Sequence, residues 1–122
     1  DGNSEFIEIM SNKKFRFKAN DGGAVTSTLT SATNIFFKDQ KSVLLFERDS
    51  LNDLRLFIDG EQITLGGTTN NDRGFDVANL GIRNDNDRHF EGNIYEIFMY
   101  NKVLTEPQRK NAMDYLIYKF SI

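Results

Sequence analysis

The chain has 122 residues, of which 39% are hydrophobic and 27% are charged, the composition of one ordinary globular domain. Lys and Arg number 15 against 18 for Asp and Glu, and the net charge of -3 argues against a nucleic-acid partner, whose phosphates require a concentrated basic face. No apolar run approaches the roughly 20 residues that span a bilayer, so we expect no membrane insertion. The absence of cysteine excludes disulfides, thiolate catalysis and cysteine-based zinc sites.

Short strands separated by turn-forming clusters dominate the sequence up to about residue 104, which is the all-β pattern. Residues 6–10 are rich in apolar side chains. Residues 14–19 alternate cleanly, with Phe15, Phe17 and Ala19 on one face and basic side chains on the other. After an Asn-Asp-Gly-Gly turn at residues 20–23, weaker strands are predicted at residues 25–30 and 35–37.

The middle of the chain predicts a buried strand and a hairpin. Residues 42–48 contain the run Val43-Leu44-Leu45-Phe46, which is apolar on both faces and predicts a central strand covered on both sides. In residues 54–59, Leu54, Leu56 and Ile58 are predicted to face the core. Asp59-Gly60 predicts a tight turn, with residues 61–65 as the returning strand. The Gly-, Thr- and Asn-rich residues 66–74 predict a surface loop.

The pattern changes from strands to a helix at Thr105. Before it, residues 77–83 predict another strand, and residues 89–100 carry the longest apolar stretch of the chain. Thr105 and Gln108 fit a capping box, and Pro107 suits the first turn of a helix. Beyond Pro107, apolar residues recur at spacings of three and four and predict one amphipathic helix on the sheet. These residues are Ala112, Met113, Leu116, Ile117 and Phe120.

The C-terminal third carries a resemblance to a known family. Residues 90–105, FEGNIYEIFMYNKVLT, resemble the closing segment of laminin-G-like and concanavalin-like modules, with its F-x-G-x-I-x-E-I strand and Y-N-x-x-L-T/S turn. Residues 115–122, YLIYKFSI, are similar to the ending of bacterial and phage members. Residues 54–60 look like the strand before the family's N/D-G hairpin, and Leu80-Gly81 resembles its penultimate strand. The resemblance covers residues 15–122 and implies an antiparallel β-sandwich of jelly-roll type with one C-terminal α-helix.

Modules of this family commonly run somewhat longer than this chain. We therefore expect residues 1–122 to form a single domain that lacks its N-terminal strands or belongs to a larger protein. The missing strands would lie in a segment outside the chain or in a partner chain. Within the closing strand, Glu96 has apolar neighbours and is expected to play a structural role by binding backbone near the closing turn.

The carboxylates do not form a hydrolase motif. Glycoside hydrolases of this fold place acidic residues two apart, so that both carboxylates lie on one strand face. Glu5 and Glu8 are three apart and point to opposite faces, and the chain has no Trp to stack on a sugar. His89 is the only histidine and has no serine in a nucleophile-elbow context. We expect no enzymatic activity, and a glycan-active enzyme is the disfavoured alternative.

Calcium is the one cofactor for which the sequence offers ligands, because oxygen-rich loops suit this hard cation and related laminin-G modules often carry one. The densest cluster of oxygen ligands consists of Asn84, Asp85, Asn86 and Asp87, with Asp72 and Asp21 as further contributors. The alternative is a solvated hairpin loop, whose Asn and Asp side chains satisfy turn geometry.

A ligand site for sugar would draw on amides, carboxylates, Arg and an aromatic ring at one end of the sandwich. The residues that fit are Asn70, Asn71, Asp72, Arg73 and Phe75, together with Asp87 and Arg88. An ordinary polar loop has the same composition, so both interpretations stay open.

The expected function is recognition or adhesion by a non-catalytic module of a secreted, cell-surface or virion protein. Its partner would be a glycan or a neighbouring protein surface. The alternative is a structural decoration or fibre domain of a phage capsid or tail, which would contact other virion proteins or form homo-oligomers.

Overall fold

The computed structural model describes residues 6–20, 26–32, 35–36, 39–49, 53–68, 80–81 and 89–122. These residues form seven strands and one helix: β1 (Phe6–Ile9), β2 (Phe15–Asn20), β3 (Thr26–Ser31), β4 (Leu44–Arg48), β5 (Leu54–Ile58), β6 (Glu61–Ile63), β7 (Leu65–Thr68) and α1 (Glu106–Phe120). The strands lie in two antiparallel sheets with the orders β1-β2-β3-β7 and β4-β5-β6. The predicted two-sheet architecture with a C-terminal helix is confirmed.

The main core lies between the two sheets. The alternation predicted for β2 is confirmed at Phe15 and Phe17, which are fully buried, while the side chain of Ala19 lies outside the described part of the structure. Both rings contact Phe46 of β4, with centroids 5.6 Å and 5.1 Å apart. Leu56 and Ile58 of β5 complete the buried cluster, as their spacing predicts. Because alternate residues of a strand share a face, each strand contributes its side chains to this core at every second position.

A tight hairpin joins β5 to β6, as the Asp59-Gly60 pair predicts. Both residues have positive φ, 51° and 93°, which is the geometry of a type I′ turn. The Val43 amide donates to Asp59 Oδ1 at 2.7 Å, and the Asp59 amide donates to the Val43 carbonyl at 2.9 Å. The turn is therefore tied to the residue that precedes β4.

The prediction of a surface loop was wrong for residues 66–68, which belong to β7. Thr64 alone separates β6 from β7, so the chain crosses there from one sheet to the other. Gly67 pairs with Leu29 and has a φ of 136°. A Cβ at Gly67 would lie 2.0 Å from the Thr28 carbonyl oxygen, so a glycine permits this close approach of β7 to β3.

Helix α1 covers the outer face of the smaller sheet. Met113 is buried there against Val43 and Phe57, with Leu116 and Ile117 beside it, so the predicted apolar stripe is confirmed. The capping box forms at the start, where the Thr105 amide donates to Gln108 Oε1 at 3.0 Å. The helix ends at Ser121, which adopts the left-handed conformation.

Three further predictions about strands differ in part from the structure where it describes those residues. Strand β4 is covered by the other sheet and by α1, but it lies at the edge of its sheet in the described part of the chain, because only β5 pairs with it. Ile35 and Phe36 form no strand and instead pack as a loop on the main core. Leu80 and Gly81 form no strand either, and the other residues of the predicted strand 77–83 lie outside the described ranges.

Candidate functional site

The apolar residues 90–100 form neither strand nor helix, contrary to the prediction of a closing strand. A segment of strand-forming residues becomes a strand only where a neighbouring strand pairs with its backbone. Within the described ranges, these residues contact α1 instead. Seven of their large side chains expose between 42% and 69% of their surface. They are Phe90, Ile94, Tyr95, Ile97, Phe98, Met99 and Tyr100. We call residues 94–100 the apolar segment.

Ring contacts hold the apolar segment along α1. The Tyr95 ring lies 5.5 Å from the Phe120 ring, and the Phe98 ring stacks on Tyr115 at 6.0 Å. The contacts run in opposite directions along the two elements, so the segment is antiparallel to the helix. At its start, Lys41 Nζ lies 5.6 Å from the centre of the Tyr95 ring and adds a cation–π contact.

One ion pair adds to these ring contacts. Lys119 Nζ donates to Glu96 Oε2 at 2.8 Å. This hydrogen bond, together with that to Tyr115, raises the pKa of Lys119 above its ordinary value of 10.5. The structural role predicted for Glu96 is therefore present, but the partner that the structure gives it is a helix side chain.

A shallow cleft opens between the end of the apolar segment and the first half of α1. One wall consists of Phe98, Tyr100, Lys102 and Leu104, and the other of Gln108, Asn111, Ala112 and Tyr115. Lys102 supplies an ammonium group and Asn111 an amide toward a ligand. Gln108 Oε1 accepts from the Thr105 amide, and the Nε2 group of Gln108 remains as a further donor. Aromatic rings with one amide and one ammonium group can hold a flat or apolar ligand group and orient its polar edge.

The first turn of α1 is held on the smaller sheet by a buried carboxylate. Glu47 of β4 is only 7% exposed, and its Oε1 accepts from Arg109 Nη1 at 3.0 Å. Arg55 Nε lies 2.9 Å from the same oxygen. The Arg109 guanidinium also stacks over Phe57 at 4.4 Å. The shared carboxylate is nearly buried and both of its partners are arginines of this chain, so this cluster orients the helix rather than binding a ligand.

The residues of both predicted sites lie outside the described ranges. This holds for the proposed ligand residues Asn70, Asn71, Asp72, Arg73, Phe75, Asp87 and Arg88, and for the proposed calcium ligands Asn84, Asp85, Asn86 and Asp87. Both sites remain predictions. Within the described ranges, no group of three or more His, Cys, Asp or Glu side chains is placed to hold a metal.

The sequence analysis did not predict that α1 contributes aromatic side chains to the exposed surface. It took account of the apolar stripe but not of Tyr115 and Tyr118, which expose 48% and 89% of their surface. Large aromatic residues off the buried stripe of an amphipathic helix were the available signal, because a helix face that only meets water carries charged or small polar residues.

Two antiparallel sheets packed face to face, with a helix over one of them, define the class of β-sandwich domains. The family model of the laminin G type, in the concanavalin A-like lectin/glucanases superfamily, matches residues 1–108, and the chain belongs to this family. No curated protein and no solved structure matches the chain. Domains of this family commonly bind carbohydrate or protein and are typically non-catalytic. The described part of the chain has no helix that is long and apolar enough to cross a membrane.

Proposed function

We propose that this domain is a non-catalytic recognition module that binds a protein partner through the apolar segment and the adjacent face of α1. The observation that carries the proposal is the continuous exposure of large apolar side chains from Ile94 to Tyr100 beside Tyr115 and Tyr118. Contiguous exposed apolar surface of this kind marks interaction sites in folded domains.

The composition of this surface favours a protein over a sugar. Ile94, Ile97 and Met99 have aliphatic or thioether side chains, which bind other apolar side chains well and sugar hydroxyls poorly. Tyr, Phe and Met are the residues enriched at the centre of protein interfaces. The rings of Tyr95 and Tyr100 add area at a small entropic cost, because each has only two side-chain torsions.

The ion pair between Glu96 and Lys119 supports a preformed surface. Together with the ring contacts of Tyr95 and Phe98, it helps to hold the apolar segment on the helix before a partner arrives, which reduces the ordering that association would otherwise require. A rigid arrangement of Tyr95, Phe98 and Tyr115 is then presented to the partner.

A photoreactive residue introduced at position 99 tests this proposal. Met99 is 69% exposed, the largest exposed fraction among the apolar side chains of the apolar segment. The matched control carries the same residue at Gln62, which is exposed on β6. We expect cross-linking to one protein from an extract of the source at position 99 and none at position 62. Equal products from both positions would show non-specific capture and contradict the proposal.

A glycan is the second candidate ligand, and the cleft between Phe98 and Tyr115 favours it. The stacked rings offer an apolar face to a sugar ring, while Asn111 and Lys102 offer hydrogen bonds to its hydroxyls. A glycan array screened with the wild-type chain and with Asn111→Ala separates the two candidates. Sugar binding that Asn111→Ala abolishes supports the glycan, whereas a blank array leaves the protein partner as the proposed ligand.

For the setting of the module, we propose a secreted, cell-surface or virion protein, since laminin-G-like domains are often extracellular. The partner is then a neighbouring molecule on the same surface or on a surface to which it adheres. A structural decoration domain would use the same apolar segment for permanent assembly. Permanent assembly predicts a chain that does not stay monomeric on its own, which its mass in solution measures.

A further inference from the structure

The cleft between the apolar segment and α1 is lined by aromatic rings and by smaller apolar side chains. Phe98 stacks on Tyr115 and meets Tyr100 edge to face, with an interplanar angle of 71°. Leu104, which is buried, and Ala112, which is half-buried, complete the apolar part of the lining. This lining suits an aromatic or large aliphatic side chain of a ligand.

The polar groups at the cleft are mainly hydrogen-bond donors. Lys102 carries an ammonium group, which can only donate. Gln108 Oε1 accepts from the Thr105 amide at 3.0 Å, so the capping box engages this oxygen and leaves the Nε2 group as a donor. Asn111 adds an amide, and among the described residues that line the cleft there is no Asp or Glu. The cleft therefore offers more to an anionic acceptor than to a cation.

The charges of α1 leave the positive charge of Lys102 uncompensated. Each cation of the helix pairs with a carboxylate of this chain: Arg109 with Glu47, Lys110 with Asp114 and Lys119 with Glu96. Within the part of the chain that the structure describes, Lys102 forms no ion pair of this kind. Glu106, the acidic residue of the first turn, lies about 200° around the helix from Gln108 and so points away from the cleft.

We propose that the cleft binds a segment of the protein partner in which a carboxylate adjoins an aromatic or large aliphatic side chain. The inference rests on the proposed function and specifies the chemistry of the partner at this end of the surface. The apolar side chain would lie against Phe98 and Tyr115, and the carboxylate would accept from Lys102. A basic segment would place a second cation beside Lys102, which is unfavourable. A neutral apolar segment would cover the donors of the cleft without pairing them.

An acidic sugar is the other source of a carboxylate at this position. Its ring hydroxyls would lie against Leu104 and Ala112, which offer them no hydrogen bonds through their side chains. A peptide side chain with an apolar body loses nothing by this contact. The observations therefore favour a peptide segment, and the test includes an acidic sugar.

The test uses three short peptides with blocked ends, so that the side chains supply all of the charge. ADFDA carries a ring between two carboxylates, ANFNA replaces both carboxylates by amides of the same shape, and ADADA lacks the ring. NMR titration of the chain follows the methyl signal of Ala112 in the cleft, with Ile63 of β6 as a distant reference. We expect ADFDA to shift the Ala112 signal in a saturable manner. ANFNA and ADADA should each bind at least about fivefold more weakly, since each lacks one of the two contacts.

Two lysine variants of equal net charge locate the carboxylate. Lys102→Gln should bind ADFDA and ANFNA equally weakly, because the ammonium group that distinguishes them is absent. Lys110→Gln is the matched control, since Lys110 pairs with Asp114 and lies on another face of α1, and it should keep the preference of the wild type. Equal binding of the two peptides to the wild type, or an unchanged preference in Lys102→Gln, would overturn the inference.

These outcomes are distinct from those of the proposed function. Cross-linking at position 99 without any preference for ADFDA would overturn this inference and leave the proposed function in place. A preference that depends on Lys102, without cross-linking at position 99, would support the chemistry of the cleft and contradict the apolar segment as the interface. Tighter binding of the methyl glycoside of glucuronic acid than of ADFDA would also overturn the inference, because the cleft would then select an acidic sugar.

Discussion

Arg109 of α1 donates to Glu47 of β4 at 3.0 Å, and this contact joins two residues 62 positions apart in the sequence. It crosses from the helix to the outer face of the smaller sheet. Arg55 lies on the other side of the same carboxylate oxygen, so two guanidinium groups surround one nearly buried charge. The position of α1, and with it the aromatic surface that the helix presents, depends on this cluster.

We expect Glu47→Ala to destabilise the fold by about 3 kcal/mol, because it leaves two arginines without their common partner in a partly buried site. Arg109→Ala should cost less, since Arg55 still pairs with Glu47. Lys110→Ala is the control, because the pair of Lys110 with Asp114 is exposed and should change stability by less than about 0.5 kcal/mol. Urea denaturation gives the free energy of unfolding of each of the three variants. A loss of stability in Lys110→Ala as large as that in Glu47→Ala would contradict the account.

The two adjacent glycines of β7 provide a second test. Gly67→Ala should destabilise the fold by about 3 kcal/mol or more, because the new methyl group meets the Thr28 carbonyl and φ is positive. Gly66→Ala should have a small effect, because the space around that residue is open. Thermal unfolding of the two variants gives the comparison. Equal melting temperatures would show that β7 does not approach β3 in this way.

The Glu96–Lys119 ion pair predicts a pH dependence. The pKa of Lys119 is raised in the folded state by its hydrogen bond to Glu96, so the pair stabilises the fold fully below the ordinary value of 10.5. That contribution is lost as the pH rises through the raised pKa. The methyl signals of Ile97 and Met99 should therefore shift at high pH in NMR spectra, as the apolar segment loses one of its contacts with α1. Tyrosine phenols also ionise at high pH in both chains, so the comparison is between the two chains. In Lys119→Arg, which keeps its charge over this range, the shift should be smaller than in the wild type, and an unchanged shift would contradict the prediction.

The calcium prediction for residues 84–87 is tested by thermal unfolding with calcium and with chelator. A bound ion should raise the melting temperature, because ligands that bind only the folded state stabilise it by mass action. The variant with Asp85→Asn and Asp87→Asn should lose this increase. A melting temperature that does not respond to calcium would leave these residues as an ordinary polar loop.

The sequence predicted the features that depend on near neighbours. The alternation at Phe15 and Phe17, the positive-φ pair at Asp59 and Gly60 and the capping residues Thr105 and Gln108 each act within a few positions. Their physical causes are local, so they can be identified without knowledge of the fold.

Features that depend on distant partners were not predictable. Gly66 and Gly67 have the composition of a loop, and only their pairing with β3 makes them part of a strand. The apolar segment has the composition of a strand, but its described contacts are with α1. The proposed recognition surface results from this second difference, since side chains expected in a sheet are instead exposed beside the helix.

The affinity of the partner cross-linked at position 99 tests the central claim most directly. It should be measured for the wild-type chain, for Met99→Asp and for Gln62→Asp, with melting temperatures as a check on folding. We predict that Met99→Asp weakens binding by roughly tenfold or more and that Gln62→Asp leaves it unchanged, because only the first introduces a charge into the proposed interface. Equal affinities for all three chains would contradict the assignment of the apolar segment as the recognition surface.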